Sequence, residues 1–360
     1  MTDYYLYDDD GDDGDSGLTW ALAKATLAGV IAVGLTSADR VFVKKAHLES
    51  LGGSTNYVFP ENPGFQWIIV ATATTNEPPV NSDLAQMTEI TEGWVTSGNF
   101  AINLNGSSFA HGFSLVPSNV ANNSGAEVTI GSSTSQQTDC VFESCTFGTR
   151  STNAGANLFL GANADSIRLR LTDCTYHFGA VTQEILVKSH VLIQNLGHTG
   201  STPTSLFKGV ASDSHGHAVI ENSDINAIGP TNLLERVSDS GTQLEFRNCK
   251  LPAGVTLVTG SVDRWSADSV EVFNSDSADT NYRYAFDGPM GTIDTETTIV
   301  RTGGAEHGGT QYSFKMVSTA NSVFAMPLET PEFVIWNETV GSPITVTVQA
   351  TGSELPQTDD

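Results

Sequence analysis

Between residues 140 and 277, apolar and polar positions alternate inside one short phrase that recurs six times. The copies are Cys140–Cys145, Leu169–Cys174, Val191–Leu196, Ala218–Ser223, Leu244–Cys249 and Val270–Ser275, and they align without a gap. Their last residues lie 29, 22, 27, 26 and 26 positions apart. The third position of each copy is apolar: Phe142, Leu171, Ile193, Ile220, Phe246 and Val272. The fifth is small and polar: Ser144, Asp173, Asn195, Asn222, Asn248 and Asn274. Such alternation describes a strand with one buried face. The unit is too short for a βαβ crossover and lacks the leucine frame of a leucine-rich repeat. It suits one turn of a right-handed parallel β-helix, where like residues of successive turns stack about 4.8 Å apart. Asp173, Asn195, Asn222, Asn248 and Asn274 are therefore expected to form a structural ladder at an inner bend, paired along the axis. The competing reading is that Asn merely terminates strands, as in many turns.

The flanks read differently. From Leu18 to Val33 the apolar spacing predicts a helix, with Leu18, Leu22, Ala25 and Gly29 on one stripe and Lys24 the only charge. A helix this apolar needs cover, and the open end of a solenoid needs a lid, so it is read as an N-terminal capping helix. Arg40–Lys44, Asn56–Phe59 and Gln66–Thr72 read as the first strands, followed by irregular early turns. Past Ser277 longer alternating strands with hairpin links (Thr297–Arg301, Gln311–Val317, Ser322–Met326, Glu332–Trp336, Ile344–Val348) predict a small antiparallel β-sandwich-like region. The expected organisation is all-β. It has an acidic segment and capping helix over 1–39, a parallel β-helix over 40–277, and the sandwich-like region with an acidic tail over 278–360.

Charge changes the picture of partners. Asp and Glu outnumber Lys and Arg by 41 to 16, for a formal charge of −25. That balance argues against nucleic acid, which requires clustered cations. No basic and apolar leader opens the chain, and the apolar stretch from Leu27 to Leu35 is too short to span a bilayer, so no membrane association is expected. Cys145, Cys174 and Cys249 occupy one column of the repeat and Cys140 opens a copy, which makes all four small core residues rather than disulfides or zinc ligands. Residues 8–17 are rich in oxygen ligands, and Asp8, Asp10, Asp12 and Asp13 are the weak calcium candidates. Their spacing does not match an EF-hand loop, and an acidic turn leading into a helix N-terminus is the plainer reading.

Catalysis finds little support in the pattern. Glycoside cleavage needs two carboxyls roughly 5–10 Å apart on one face. The outward column reads Glu143, Thr172, Gln194, Glu221, Arg247 and Phe273, which places Glu143 and Glu221 three turns and about 14 Å apart. His215 and His217 could hold a metal, but their Gly-rich setting reads as a loop; His198 reads as a core histidine and His307 as a loop tip. No nucleophile elbow, zinc-protease or phosphate-loop motif is present, and no cofactor is called for.

Two stretches carry a resemblance. Asp13–Leu27 followed by Asp39–Val43 resembles the opening of tailed-bacteriophage virion proteins with a pectate-lyase-like β-helix. Asp279–Arg283, Glu296–Gly303 and Pro331–Asn337 resemble the strands that follow the helix there. The resemblance implies a non-enzymatic viral structural protein on the outer surface of the virion. An external capsid decoration or head-fibre protein is expected first, with capsid proteins and copies of itself, in a side-by-side homotrimer, as partners. The alternative it implies is a tail fibre or tailspike that binds, and in some cases cleaves, host surface polysaccharide.

Overall fold

The computed structural model describes residues 1–36, 38–59, 66–72, 76–88, 92–96, 100–117, 127–131, 138–152, 157–161, 167–210, 216–237, 241–260, 269–273, 276–277, 281–284, 298–302 and 313–317. These residues are mostly β, with few and short helices, and their strands gather into large parallel sheets of ten, eight and six strands. The chain visits the sheets in rotation. Arg40–Lys44 joins the ten-stranded sheet, Leu48–Leu51 the six-stranded one and Thr55–Val58 the eight-stranded one; Gln66–Ala71 then returns beside Arg40–Lys44. The same rotation continues to Ser269–Phe273, with the helical turn Ile225–Ile228 in place of a strand of the six-stranded sheet in one round and Lys250–Leu251, of a separate two-stranded sheet, in the next. Side chains from all three sheets meet in one hydrophobic cluster.

The register of the ten-stranded sheet is the alignment of the repeat. Cys140, Leu169, Val191, Ala218, Leu244 and Val270 are successive partners, as are Phe142, Leu171, Ile193, Ile220, Phe246 and Val272. Both columns are buried. The second continues backward through Ala110, Ile68 and Val41, residues of the early rounds that share the column without sharing the phrase. Each fully buried aliphatic or aromatic side chain contributes about 1.5–3 kcal/mol, so a column repeated round after round is the main source of stability.

The polar fifth position has a backbone cause. Ser144, Asp173, Asn195, Asn222 and Asn248 all adopt left-handed backbone angles, with φ between 52° and 56°. Asn and Asp tolerate this region because their short polar side chains bond locally, whereas most L-residues are strained there by about 1–2 kcal/mol. The bend leaves the ladder unbroken: the Ser144, Asp173, Asn195 and Asn222 amides donate to the carbonyls of Thr172, Gln194, Glu221 and Arg247 in the following round. The next residue closes the bend from inside. The Cys145, Cys174 and Cys249 thiols donate to the carbonyls of Glu143, Thr172 and Arg247, and the Ser223 hydroxyl donates to Glu221.

The direction of this column corrects an expectation. The side chains of Asp173, Asn195, Asn222 and Asn248 are exposed on the outside of the bend, not filed along its interior. A left-handed residue after an outward-facing one keeps its own side chain out, and the inward position passes to the next residue, Cys, Ser or Leu. One axial pair does form, the Asn195 amide donating to Asp173 at 2.8 Å. Asn274 lies outside the described residues.

The N-terminal end also departs from the sequence reading. Residues 18–33 are not one helix: Trp20–Leu22 is a 3₁₀ turn, and the α-helix spans only Leu27–Ala32. Between them the chain is extended, because its backbone is needed elsewhere. Asp3–Leu6 forms the first strand of the ten-stranded sheet, and its free edge is covered by the Tyr5 amide donating to Gly17, Lys24 to Tyr5, and Tyr7 to Lys24. Pairing an exposed edge outweighs the modest helix propensity of the segment. Leu27 and Val30 of the short helix still face the core. Farther along, the described C-terminal strands Asn281–Tyr284, Thr298–Thr302 and Ser313–Val317 pair antiparallel. The strands expected at 322–326, 332–336 and 344–348 lie outside the described residues. Among the described residues, no helix is long and apolar enough to cross a membrane.

Candidate functional site

Three clusters of polar side chains stand out from the strand pattern. The first lies under the short helix. Glu49 is buried, and its carboxylate accepts from the Tyr57 hydroxyl at 2.9 Å, the Trp94 indole at 2.7 Å and the Leu27 amide at 3.0 Å. His47, fully buried, stands between Glu49 (3.5 Å) and Asp8 (3.2 Å). Neither ring nitrogen makes a well-aligned hydrogen bond, so the link is an ionic one that holds while the imidazole is protonated. Burial alone would lower the His47 pKa, but the two carboxylates outweigh it and hold the imidazole above its usual value. Burial would likewise raise Asp8, yet contact with His47 and the Leu48 amide brings it below the usual carboxylate range. The cluster ties the acidic segment, the helix and three strands together. At 0% exposure the His47 imidazole itself is closed to solvent, while Asp8 at 24% marks the cluster's outer end.

The calcium candidates separate into different jobs. Asp8 serves His47 and Leu48, and Asp12 accepts from the Gly14 amide. Asp13 accepts from the Ala25 and Thr26 amides and the Thr26 hydroxyl, and Thr26 in turn caps the helix through the Gly29 amide. A Cβ on residue 29 would run into the Asp13 carboxylate, which explains the glycine inside this helix. Asp10 is exposed. Among the described residues, no group of three His, Cys, Asp or Glu side chains is placed to hold a metal.

The second cluster covers the outer face of the ten-stranded sheet. Arg170 donates to Gln194 at 3.1 Å, and Gln194 donates to Glu221 at 3.0 Å. Arg247 lies 3.7 Å from Glu221 and 2.5 Å from Glu245, while His217 contacts Glu245 at 2.9 Å. These contacts with His217 and Arg247 hold the Glu245 carboxyl below its ordinary value although partial burial opposes them. Glu143 and Glu221 sit in one column with Thr172 and Gln194 between them. Nearer the N-terminal end of the same face, Trp67 and Phe109 stack with centroids 4.5 Å apart. His198 is half-buried and bonds the Ser201 carbonyl at 2.9 Å; His215 and His307 lie outside the described residues.

The third cluster, on the eight-stranded sheet, has no counterpart in the sequence reading. Lys208 bridges Glu184 at 3.0 Å and Glu235 at 2.5 Å. Close by in sequence, Lys188 lies over the Phe159 ring at 4.7 Å and attracts Glu127. Burial pushes Glu127 up and Lys188 down, each partly offset by the other. These residues fall outside the repeated phrase; the pairing of Lys208 with Glu235 in adjacent strands becomes visible only with the sheet register.

No family model, curated protein or solved structure matches this chain. Its chemistry must be argued from these clusters alone. In each of them, a basic side chain is shared by carboxylates brought to it from different strands or segments.

Proposed function

We propose that this chain is a structural component of a tailed-phage particle, an external capsid decoration or head-fibre protein whose body is a right-handed parallel β-helix. The observation that carries the non-enzymatic part is Arg247 lying between Glu221 and Glu245, contacting both. Both carboxylates are committed to one guanidinium, Glu221 from the neighbouring strand and Glu245 from Arg247's own strand, which suits a stiffened surface better than acid–base chemistry. The rotation of the chain through three parallel sheets, with like residues in register, supports the β-helix. The resemblance of both ends to phage virion proteins supports the location. A charge of −25 suits a surface held in solution by self-repulsion.

A second reading has one observation in its favour. The Trp67–Phe109 stack is a half-buried aromatic platform on an outer face, and a tail fibre or tailspike could use it against a glycan ring. Electron microscopy of the phage particle with this chain labelled, together with its copy number, distinguishes the two. On the order of hundreds of labels distributed over the head is the expected result for a decoration. Labels confined to the tail would favour the adsorption module, and an unlabelled particle would remove the virion assignment altogether.

A further inference from the structure

The Glu184 cluster has an unequal charge count. Two carboxylates face one ammonium, and they lie on three successive rounds of the chain: Glu184 just before Ile185–Val187, Lys208 at the end of Ser205–Lys208, and Glu235 at the end of Asn232–Glu235. The three are not equally wet. The Glu184 side chain is 5% exposed, against 30% for Lys208 and 38% for Glu235. Position 184 is also fixed through its backbone, its amide donating to the Asn157 side chain at 3.0 Å. The backbone from which the Glu184 carboxylate projects is therefore held in place. With all three groups ionised, the triad carries one uncompensated negative charge, and its most desolvated member bears the cost.

We propose that Glu184, Lys208 and Glu235 form a proton-operated tie across three strands of the eight-stranded sheet, closed while the Glu184 carboxyl holds a proton and loosened when it ionises. Protonation leaves a balanced Lys208–Glu235 ion pair with a neutral acid beside it. Ionisation sets Glu184 against Glu235 for the same ammonium. The charged groups that act on Glu184 are Lys208 and Glu235; from the six-stranded sheet the buried Tyr176 phenol approaches, raised chiefly by its own burial and further by Glu184. Glu127 and Lys188 answer each other instead.

The direction of the titration agrees with the geometry. Burial lifts Glu184 to about 7, Lys208 works against that rise, and Glu235 adds to it. An acid whose folded pKa is raised binds its proton more tightly in the folded chain. Its stabilising contribution is complete below the unfolded value of about 4.3, declines as pH rises, and is gone once pH passes the folded value. The sensitive window therefore runs from mildly acidic to neutral pH.

Hydrogen exchange on the full chain, read by mass spectrometry between about pH 5 and pH 8 and corrected for the intrinsic rate, tests this. Amides of 185–187, 205–208 and 232–235 should lose protection by roughly tenfold across that interval in the wild type. Glu184→Gln should abolish the change and keep the protected, low-pH value throughout. Glu235→Gln, which leaves Lys208 to Glu184 alone, should move the transition to lower pH, and it provides the test if the first variant does not fold. Protection in these strands that is flat with pH in the wild type, or that varies identically in Glu184→Gln, would overturn the proposal.

Discussion

Replacing Glu49 by leucine is expected to destabilise the protein by about 3–5 kcal/mol, because it removes one partner of a buried ionic cluster and strands the others. The Tyr57 hydroxyl, the Trp94 indole and the Leu27 amide would lose their common acceptor, and His47 would keep its charge beside Asp8 alone. For a chain of this size each kcal/mol lowers the melting temperature by roughly 1–2 °C. Glutamine keeps the shape and one acceptor oxygen, so Glu49→Gln should cost only about 1–2 kcal/mol. Urea unfolding of the two variants beside the wild type measures both. Hydrogen exchange should show the loss concentrated in residues 1–35, which the cluster fastens to the sheets. The His47 share of this stability is complete below the unfolded imidazole value of about 6.5 and fades as pH rises through the higher folded one. The Asp8 share runs the other way, lost as pH falls through its depressed folded value. A Glu49→Leu variant as stable as the wild type would mean the cluster fastens nothing.

Phe142→Ala is expected to cost a similar amount, about 3–5 kcal/mol. Phe142 is 0% exposed and packs edge-on against Phe113 (5.8 Å) and Phe147 (5.3 Å), which also meet each other at 5.7 Å. Three rings in mutual T-shaped contact gain about 0.5–1.5 kcal/mol per pair beyond their buried area, and the cavity left by alanine cannot collapse in a sheet pinned on both sides by neighbouring strands. Phe142→Leu keeps most of the volume and should lose roughly half as much. The outward Trp67, half-buried on the opposite face of the same sheet, is the control: Trp67→Ala should cost clearly less than Phe142→Ala. Equal losses at the two positions would contradict the inward and outward assignment of the columns.

The phrase ending in Asn-Cys or Asn-Ser was legible because it encodes two local requirements at once: an apolar residue facing in, and a residue able to take a left-handed bend. Ser144 through Asn248 meet the second requirement whatever surrounds them, so the alignment read from the sequence is the register of the sheet. The outward direction of the same side chains was missed because a strand pattern places the bend without giving the left-handed backbone angle that decides where its side chain points. The strand Asp3–Leu6 was missed for a different reason. Tyr4, Tyr5 and Leu6 belong to no copy of the repeat, and their segment is dominated by acids. The break between Leu22 and Leu27 follows from that strand's need for edge partners, a tertiary demand that helix periodicity cannot express. The clusters around His47 and Glu184 join residues from separate rounds. Asp8, His47 and Trp94, like Glu184, Lys208 and Glu235, become neighbours only through the rotation of the chain among its sheets.

That rotation is the claim on which the rest depends, and a distance tests it. Asp173 and Asn248 occupy the same outward column with Asn195 and Asn222 between them. Spin labels on Asp173→Cys and Asn248→Cys report their separation, and the native thiols compete poorly because all four are buried and burial pushes Cys140 up to about 12. Three strand spacings predict Cα atoms about 14 Å apart and strong dipolar broadening. A separation beyond about 25 Å would contradict the stacking of these repeats and, with it, the whole account.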